Sequence, residues 1–460
     1  MLNLELACGP AMDVAPGDSF ADELSGVAGR IAAGALLALL SPVLTLALVL
    51  GRRGGTRLVG RAKVGKDGRE YDEYGLEPGG LVRHSLFQRA RVQRWPALWN
   101  VVRGDIALVG PRARTPEEVD PSNRRHAAVA ASKPGLVCTW WIRRHGGIDY
   151  GSELESDLEY VRDRSPRTDL GILSRALVAA VYAERDGVAA AESRVLGVRT
   201  HNLSMDAAVD ALADMASGDR RSQVCFANAD CLNLACRDDT YRDTLATAQL
   251  VLPDGIGIRL GVKMTGQSIR HNVNGTDLFP RLCARLAREG RRVFLLGAKP
   301  GVPEKVQSYI EAHHPGLVVA GVRNGYFTEA EEPQVLDQIR RAEADVLLVA
   351  FGAPRQDVWI RDRLSRLGVR VAMGVGGLFD FYSFSLPRAP QWVREIGMEW
   401  AFRLIQEPRR LWKRYIIGNV AFLTRVMLEA SGLVRYGAPE GAGLAARRAP
   451  VPFEDGQVAV

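Results

Sequence analysis

The chain has 460 residues, of which 47% are apolar and 25% charged, a balance that suits folded domains with real cores and excludes a disordered polymer. A net charge of +7 and a pI near 9.2 favour an anionic partner without naming one, since phosphorylated substrates, lipid headgroups and nucleic acid all qualify. Six cysteines (Cys8, Cys138, Cys225, Cys231, Cys236, Cys283) form no Cys-x-x-Cys pair and have no histidine at zinc spacing, so reduced, buried thiols are expected and a metal site is not.

Residues 1–29 read as a flexible leader. Ile31 to Leu50 is uncharged and long enough to cross a bilayer. Acidic Asp22 and Glu23 ahead of it argue against a signal peptide. Arg52, Arg53, Arg57, Arg61 and Lys63 follow at once and place the downstream chain in the cytoplasm. Ser41-Pro42 predicts a kink, so the segment either spans the membrane or dips in and returns. Residues 30–182 then form a basic region with few clear strands, and 183–193 a linker.

From 194 to 398 short apolar runs alternate with helical patterns. Strands are predicted at Gln223–Asn228, Gln249–Leu252, Val293–Gly297, Leu317–Gly321, Asp345–Gly352 and Val369–Gly377. Helices are predicted at Asp230–Leu245, Thr276–Glu289, Pro303–His313, Glu331–Ala344 and Gln356–Leu367. Such alternation indicates an α/β, Rossmann-like parallel sheet covered on both faces. Residues 399–437 form a basic, aromatic appendage and 438–460 a Gly/Ala/Pro-rich, disordered tail.

Ligands of open α/β sheets bind beyond the carboxyl ends of the strands. Neither Gly297–Gly301 nor Gly374–Gly377 matches a dinucleotide fingerprint, so a dehydrogenase is disfavoured. Asp254, directly after a buried-type strand and before Gly255, either takes a proton from an attacking hydroxyl or caps the next helix. The spacing alone leaves both readings open.

An ordered series of motifs runs through this half: NADCLNLA from Asn228, VLPDGIGIRL from Val251, NGTDLFP from Asn274, NGYF from Asn324, VAFGAPRQDVWI from Val349, GVGGLFDFYS from Gly374, PRAP from Pro387 and EWAFRLIQEPRR from Glu399. Together they resemble the WecG/TagA/CpsF family of glycosyltransferases. The resemblance implies transfer of a sugar, often N-acetylmannosamine, from a UDP-sugar to a polyprenyl-diphosphate-linked acceptor, with inversion and without a cofactor or required metal. It implies that Asp254 is the base, that Asn228 and Gln356 line the donor pocket, and that Arg388 lies in the Arg-Ala-Pro turn. Arg403 and Arg410 match basic residues that close on the donor diphosphate, and Lys413 stands where a third arginine is common. Phe226, Asp357 and Phe384 replace a usual threonine, glutamate and glycine, which bears on the donor more than on the reaction. Relatives that pair through this domain leave a homo-oligomer open. The aromatic and basic appendage suits a membrane interface as well as a solvated helix, and no nucleic-acid fold accompanies it.

The first half resembles the monotopic polyprenyl-phosphate sugar-1-phosphate transferases over roughly Arg30 to Val181. It does so through Ser41-Pro42, RAKVGKDGREY from Arg61, WPALWNVVRGDIALVGPR from Trp95, KPGL from Lys133 and LESDLEYV from Leu154. That family carries an Asp-Glu pair where this chain has Gln93 and Arg94, and Lys-Phe-Arg where it has Tyr74-Gly75-Leu76. An amide cannot form an acyl phosphate, and an arginine repels a divalent metal. The expectation is a membrane-anchored, mainly helical domain that has lost catalysis, on the cytoplasmic face of a bacterial inner membrane. A two-activity enzyme and a non-catalytic scaffold are the alternatives.

Overall fold

The computed structural model describes residues 19–51, 55–77, 92–120, 122–146, 151–182 and 190–437. The start of the expected leader, Arg52, Arg53, Cys8, most of the expected linker and the 438–460 tail lie outside the described residues. Two compact units divide the chain, one within Met1–His145 and Asp149–Arg185, the other within Gly146–Ile148 and Asp186–Val460.

The first unit opens with helix α1, Ser19–Gly51. Residues 19–29, expected in a flexible leader, are therefore helical, because no proline interrupts the run before Pro42 and an established helix propagates readily. The helical run is unbroken through Ser41-Pro42, where the Ser41 hydroxyl donates to the Ala38 carbonyl at 2.8 Å. Gly26–Val49 has a mean hydropathy of 2.3, yet only 17% of that stretch is buried, unlike a core helix. Ala33, Leu44 and Ala47 pack inward on this unit, whereas Ile31, Leu39 and Val49 are exposed.

An antiparallel hairpin, which the sequence did not resolve, follows as β1 (Arg57–Val64) and β2 (Glu70–Glu77). Helix α2 (Ala97–Arg103), the two-stranded parallel pair β3 (Ala107–Val109) and β4 (Gly135–Val137), and helices α3 (Arg124–Ala130), α4 (Thr139–Gly146), α5 (Glu153–Arg162) and α6 (Pro166–Tyr182) complete the unit. Asn100, fully buried on α2, ties the hairpin down: its amide nitrogen donates to the Asp72 carbonyl at 2.7 Å, and its oxygen accepts from the Tyr74 amide at 3.0 Å.

The second unit begins with the hairpin β5 (Glu192–Val195) and β6 (Val198–His201), so Glu192 and Ser193 are strand rather than linker. A six-stranded parallel sheet follows, in the order β10-β9-β11-β12-β7-β8. Its strands are β7 (Ser222–Ala227), β8 (Leu250–Pro253), β9 (Arg292–Gly297), β10 (Val318–Arg323), β11 (Val346–Ala350) and β12 (Val371–Gly374). All six fall within about two residues of their predicted positions.

Alternation along the strands sends side chains to both faces. Val224, Leu252, Leu295, Leu348 and Met373 pack against α7 (Met205–Ser217), α11 (Gly275–Arg288) and α12 (Val302–His313). On the opposite face, Cys225 and Val251 meet α8 (Ala229–Ala235) and α10 (Ile256–Met264), while Leu296, Leu347 and Val349 meet α13 (Glu332–Arg341) and α14 (Arg355–Arg363). Between α8 and α10 lies α9 (Asp239–Thr247). The single helix predicted over Asp230–Leu245 is thus two, because the Asp238 side chain accepts from the Tyr241 amide at 3.1 Å and caps a new start. The five described cysteines are free, as expected.

After the short helices α15 (Leu378–Tyr382) and α16 (Gln391–Glu395), the appendage folds as α17 (Glu399–Gln406), α18 (Pro408–Trp412), a π turn (Lys413–Ile417) and α19 (Gly418–Ala430). Phe422 and Val426 of α19 are buried in the α8/α10 core, so the appendage is packed in place.

Candidate functional site

Chain order runs from β7 outward to β8, then crosses to β9 on the far side of β12, which makes the carboxyl ends of β7 and β8 a topological switch point. Pro253 is in register with Ala227, and the Asp254 amide donates to the Ala227 carbonyl at 2.9 Å. Gly255 then adopts φ +89°, a region open to glycine and strained for other residues. Its amide donates to Asn272 Oδ1 at 2.6 Å, which fixes the turn. Gly255 itself stands at the start of α10 and no side chain caps it, so the capping role weighed for Asp254 is not realised.

Instead, Asp254 lines a cavity of about 530 Å³. Asn228 from the end of β7, Asn274 and Asp277 from the start of α11, and Glu399, Arg403 and Arg414 from the appendage line it too. The carboxyl keeps some access to solvent through the cavity, yet protein crowds it on the other sides. That burial, first, and the negative charge of Glu399, second, push its pKa up to about 6; Arg414 opposes the shift, Asp277 adds to it and Arg403 opposes it. Such a carboxylate is ionised at neutral pH and basic enough to accept a proton.

The other predicted residues separate into two groups. Asn228 and Arg403 reach the cavity. Asn228 also spends its oxygen on capping α8, accepting from the Asp230 and Cys231 amides at 3.1 Å each. Arg403 lies 5.1 Å over the Phe381 ring, and its Nε has no hydrogen-bond acceptor.

Gln356, Arg388, Arg410 and Lys413 do not line the cavity. Gln356 is buried, and its oxygen accepts from the Gly352 amide at 3.1 Å and the Gly376 amide at 2.9 Å, which clamps the loops after β11 and β12 together. Arg388 stands behind the wall. Its Nη2 donates to Asp277 Oδ1 at 2.7 Å, and its Nε lies 3.4 Å from Glu399 Oε1. Arg410 pairs with Glu407 at 2.6 Å, and Lys413 is exposed over the Trp412 ring.

Asn272, Asp277, Glu399 and Arg414 were not singled out as site residues in the sequence. Asn272 and Asp277 flank the Asn274 cap, and an Asn-Gly-Thr-Asp cap reads as ordinary helix chemistry; the Asn274 side chain does pair with Asp277 through both its oxygen and its nitrogen. Arg414 carried a signal only as one of several appendage cations.

Of the three departures from the family pattern, Phe226 packs against the core and does not line the cavity. Asp357 is fully buried and accepts from the Tyr241 hydroxyl at 3.2 Å, and burial pushes its pKa up to about 7. Phe384 is 78% exposed at φ +57°.

In the first unit, Gln93 and Arg94 lie in a short 3-10 turn (Val92–Arg94) ahead of α2. Arg94 is exposed, and Gln93 Oε1 is buried without a hydrogen-bond partner. Arg112 and Arg114 are tied by ion pairs to Glu118, Glu153 and Asp157. Among the described residues, no group of three or more His, Cys, Asp or Glu is arranged to hold a metal ion.

Comparison with known proteins agrees with this division. Residues 193–435 match the glycosyl transferase WecG/TagA/CpsF family, and residues 84–183 match the bacterial sugar transferases. An N-acetylglucosaminyldiphosphoundecaprenol N-acetyl-beta-D-mannosaminyltransferase of Bacillus subtilis (strain 168) is 34% identical over 206 residues, 45% of this chain and 79% of the relative. The protein of the same name from Bacillus spizizenii is 32% identical over 182 residues, 40% of this chain and 70% of the relative. The chain is therefore a hexosyltransferase that belongs to the WecG/TagA/CpsF family, with a bacterial sugar transferase region ahead of its catalytic unit.

Proposed function

We propose that the second unit transfers an N-acetylmannosamine-like sugar from a UDP-sugar to a polyprenyl-diphosphate-linked sugar, with inversion and without a cofactor or metal, in surface polysaccharide assembly. The observation that carries this reading is Asp254, facing a cavity that also presents Arg403 and Arg414. The acceptor hydroxyl oxygen bonds to the anomeric carbon from the face opposite the leaving group, and its proton passes to Asp254. The bond from that carbon to the diphosphate breaks, and its electron pair stays on the diphosphate oxygen. Guanidinium groups oriented beforehand stabilise that charge.

The acceptor class follows the printed names of the two Bacillus relatives. A membrane-bound acceptor in turn suits the exposed apolar surface of α1, and of α6 at Leu170, Leu177 and Val181. The first unit acts as an anchor at the cytoplasmic face, its own chemistry lost with Gln93 and Arg94. UMP release and a covalent sugar-phosphate adduct from this protein would overturn that part of the reading. The decisive assay for the second unit is UDP release from a panel of UDP-sugars, dependent on lipid-linked mono- and disaccharide acceptors. No acceptor-dependent release from any UDP-sugar would remove the reading.

A further inference from the structure

The sequence resemblance puts the third basic group of the appendage at position 413, and the structure puts it one residue later. Lys413 is exposed and its Nζ lies 5.8 Å over the Trp412 ring, outside the cavity. Arg414 lines the cavity. The difference is one of helical phase. Lys413–Ile417 is a single π turn between α18 and α19, and its wider i→i+5 bonding changes which residue faces inward. Contact between the Trp400 and Tyr415 rings, 5.9 Å apart, joins this turn to α17.

The cations around the cavity are not equally committed. Arg394 lies 3.6 Å from Asp277 and donates to the Ala389 carbonyl at 3.0 Å, while Arg388 holds Asp277 and Glu399 from behind. Arg403 has only Glu407, 3.9 Å away. Arg414 Nε lies 3.0 Å from Asp230 Oδ2, but at an angle that makes no hydrogen bond. Two guanidinium groups on one cavity thus keep an Nε–H without an acceptor. Both also offset the charge of Asp254.

We propose that Arg414 binds the diphosphate of the nucleotide-sugar donor beside Arg403, and that Asp230 is its counter-ion when no donor is bound. This rests on the nucleotide-sugar reading above. On departure, the electron pair left on the diphosphate oxygen is stabilised by Arg414, whose planar fork matches phosphate geometry where a lysine at 413 would offer only a point charge.

The test is titration of UDP and of UMP into the full-length protein and its variants. Arg414→Gln should weaken UDP binding roughly tenfold or more, and UMP binding less, so that the preference for UDP over UMP narrows. Arg414→Lys should fall between the two, and Lys413→Gln should stay within about twofold of wild type. Asp230→Asn should retain UDP binding, since it removes only the resting counter-ion. Unchanged UDP affinity in Arg414→Gln, or a larger loss in Lys413→Gln, overturns the inference while leaving the donor reading intact. Equal loss of UDP and UMP in Arg414→Gln, matched by Asp230→Asn, shows that the pair only holds the turn and overturns it too. A wild-type protein that binds no UDP overturns the donor reading and this inference together.

Discussion

Asp254 and Gln93 stand where each half of the chain would carry its reacting carboxylate. Asp254 follows a parallel strand, on a glycine turn held by Asn272, and opens onto a cavity with two under-committed arginines. Gln93 sits in a one-turn 3-10 segment with its side-chain oxygen buried and unbonded, beside an exposed Arg94. In the first unit the polar groups that remain serve the fold: Asn100 holds the hairpin, and Arg112 and Arg114 close on carboxylates. A domain can therefore keep the scaffold of a reaction after losing the groups that perform it, because the scaffold's hydrogen bonds are needed for stability in their own right.

The largest expected effect breaks or keeps this contrast directly. Asp254→Asn should lower kcat by about 10²–10⁴, the usual worth of a positioned general base, with donor binding retained. The paired change Gln93→Ala with Arg94→Ala should leave sugar transfer unchanged. A similar loss from both would show that the first unit takes part in the chemistry.

The pH dependence sharpens the same point. A base with a pKa of about 6 must be ionised, so kcat should fall as pH drops through about 6, and Asp254→Asn should lose that acid limb. For stability the sign is opposite to that of a salt-bridged carboxylate. The folded pKa lies above the ordinary value of 3.8, so the buried charge costs stability above pH 6, and the cost fades as pH falls from about 6 towards 3.8. Asp254→Asn should therefore raise stability at pH 8 by about 1–2 kcal/mol and change it little at pH 4, read from denaturant midpoints.

A smaller effect is expected at Asn272, whose side chain accepts from the Gly255 amide. Asn272→Ala leaves that donor unpaired at a cost of about 1 kcal/mol and loosens the turn that aims Asp254. The expected outcome is a kcat roughly tenfold lower with UDP affinity unchanged, since Asn272 positions the base and does not bind the diphosphate. An equal loss in KM and kcat would instead make it a substrate contact.

The parallel sheet was legible because each strand is a short apolar run buried on both faces, with turn residues at its ends. Asp254 was legible for the same reason, since a strand end followed by glycine fixes where a carboxylate can stand. What sequence reading missed depends on phase and on contacts distant in the chain. No local signal distinguishes Lys413 from Arg414 until a π turn decides which of them faces inward. Gln356 and Arg388 look like binding residues from their motifs. Their side chains prove to be committed, one to the Gly352 and Gly376 amides and the other to Asp277 and Glu399. The break of one predicted helix at Asp238 is likewise a capping event, which helical periodicity alone does not show.

The smallest expected effect tests the other side of the contrast. If Gln93 has no chemical task, its buried oxygen is only a desolvated acceptor without a donor, and such a group costs free energy that an apolar side chain of similar length avoids. Gln93→Met keeps the shape and removes the acceptor. It should raise the stability of the first unit by about 0.5–1 kcal/mol and leave sugar transfer unchanged. A loss of stability would mean that Gln93 is hydrogen-bonded in solution. A loss of transfer would give it a task in the reaction. Restoring carboxylates through Gln93→Asp with Arg94→Glu should not restore UMP release, because Tyr74, Gly75 and Leu76 still occupy the place of the Lys-Phe-Arg segment and the Tyr74 amide is already bound to Asn100.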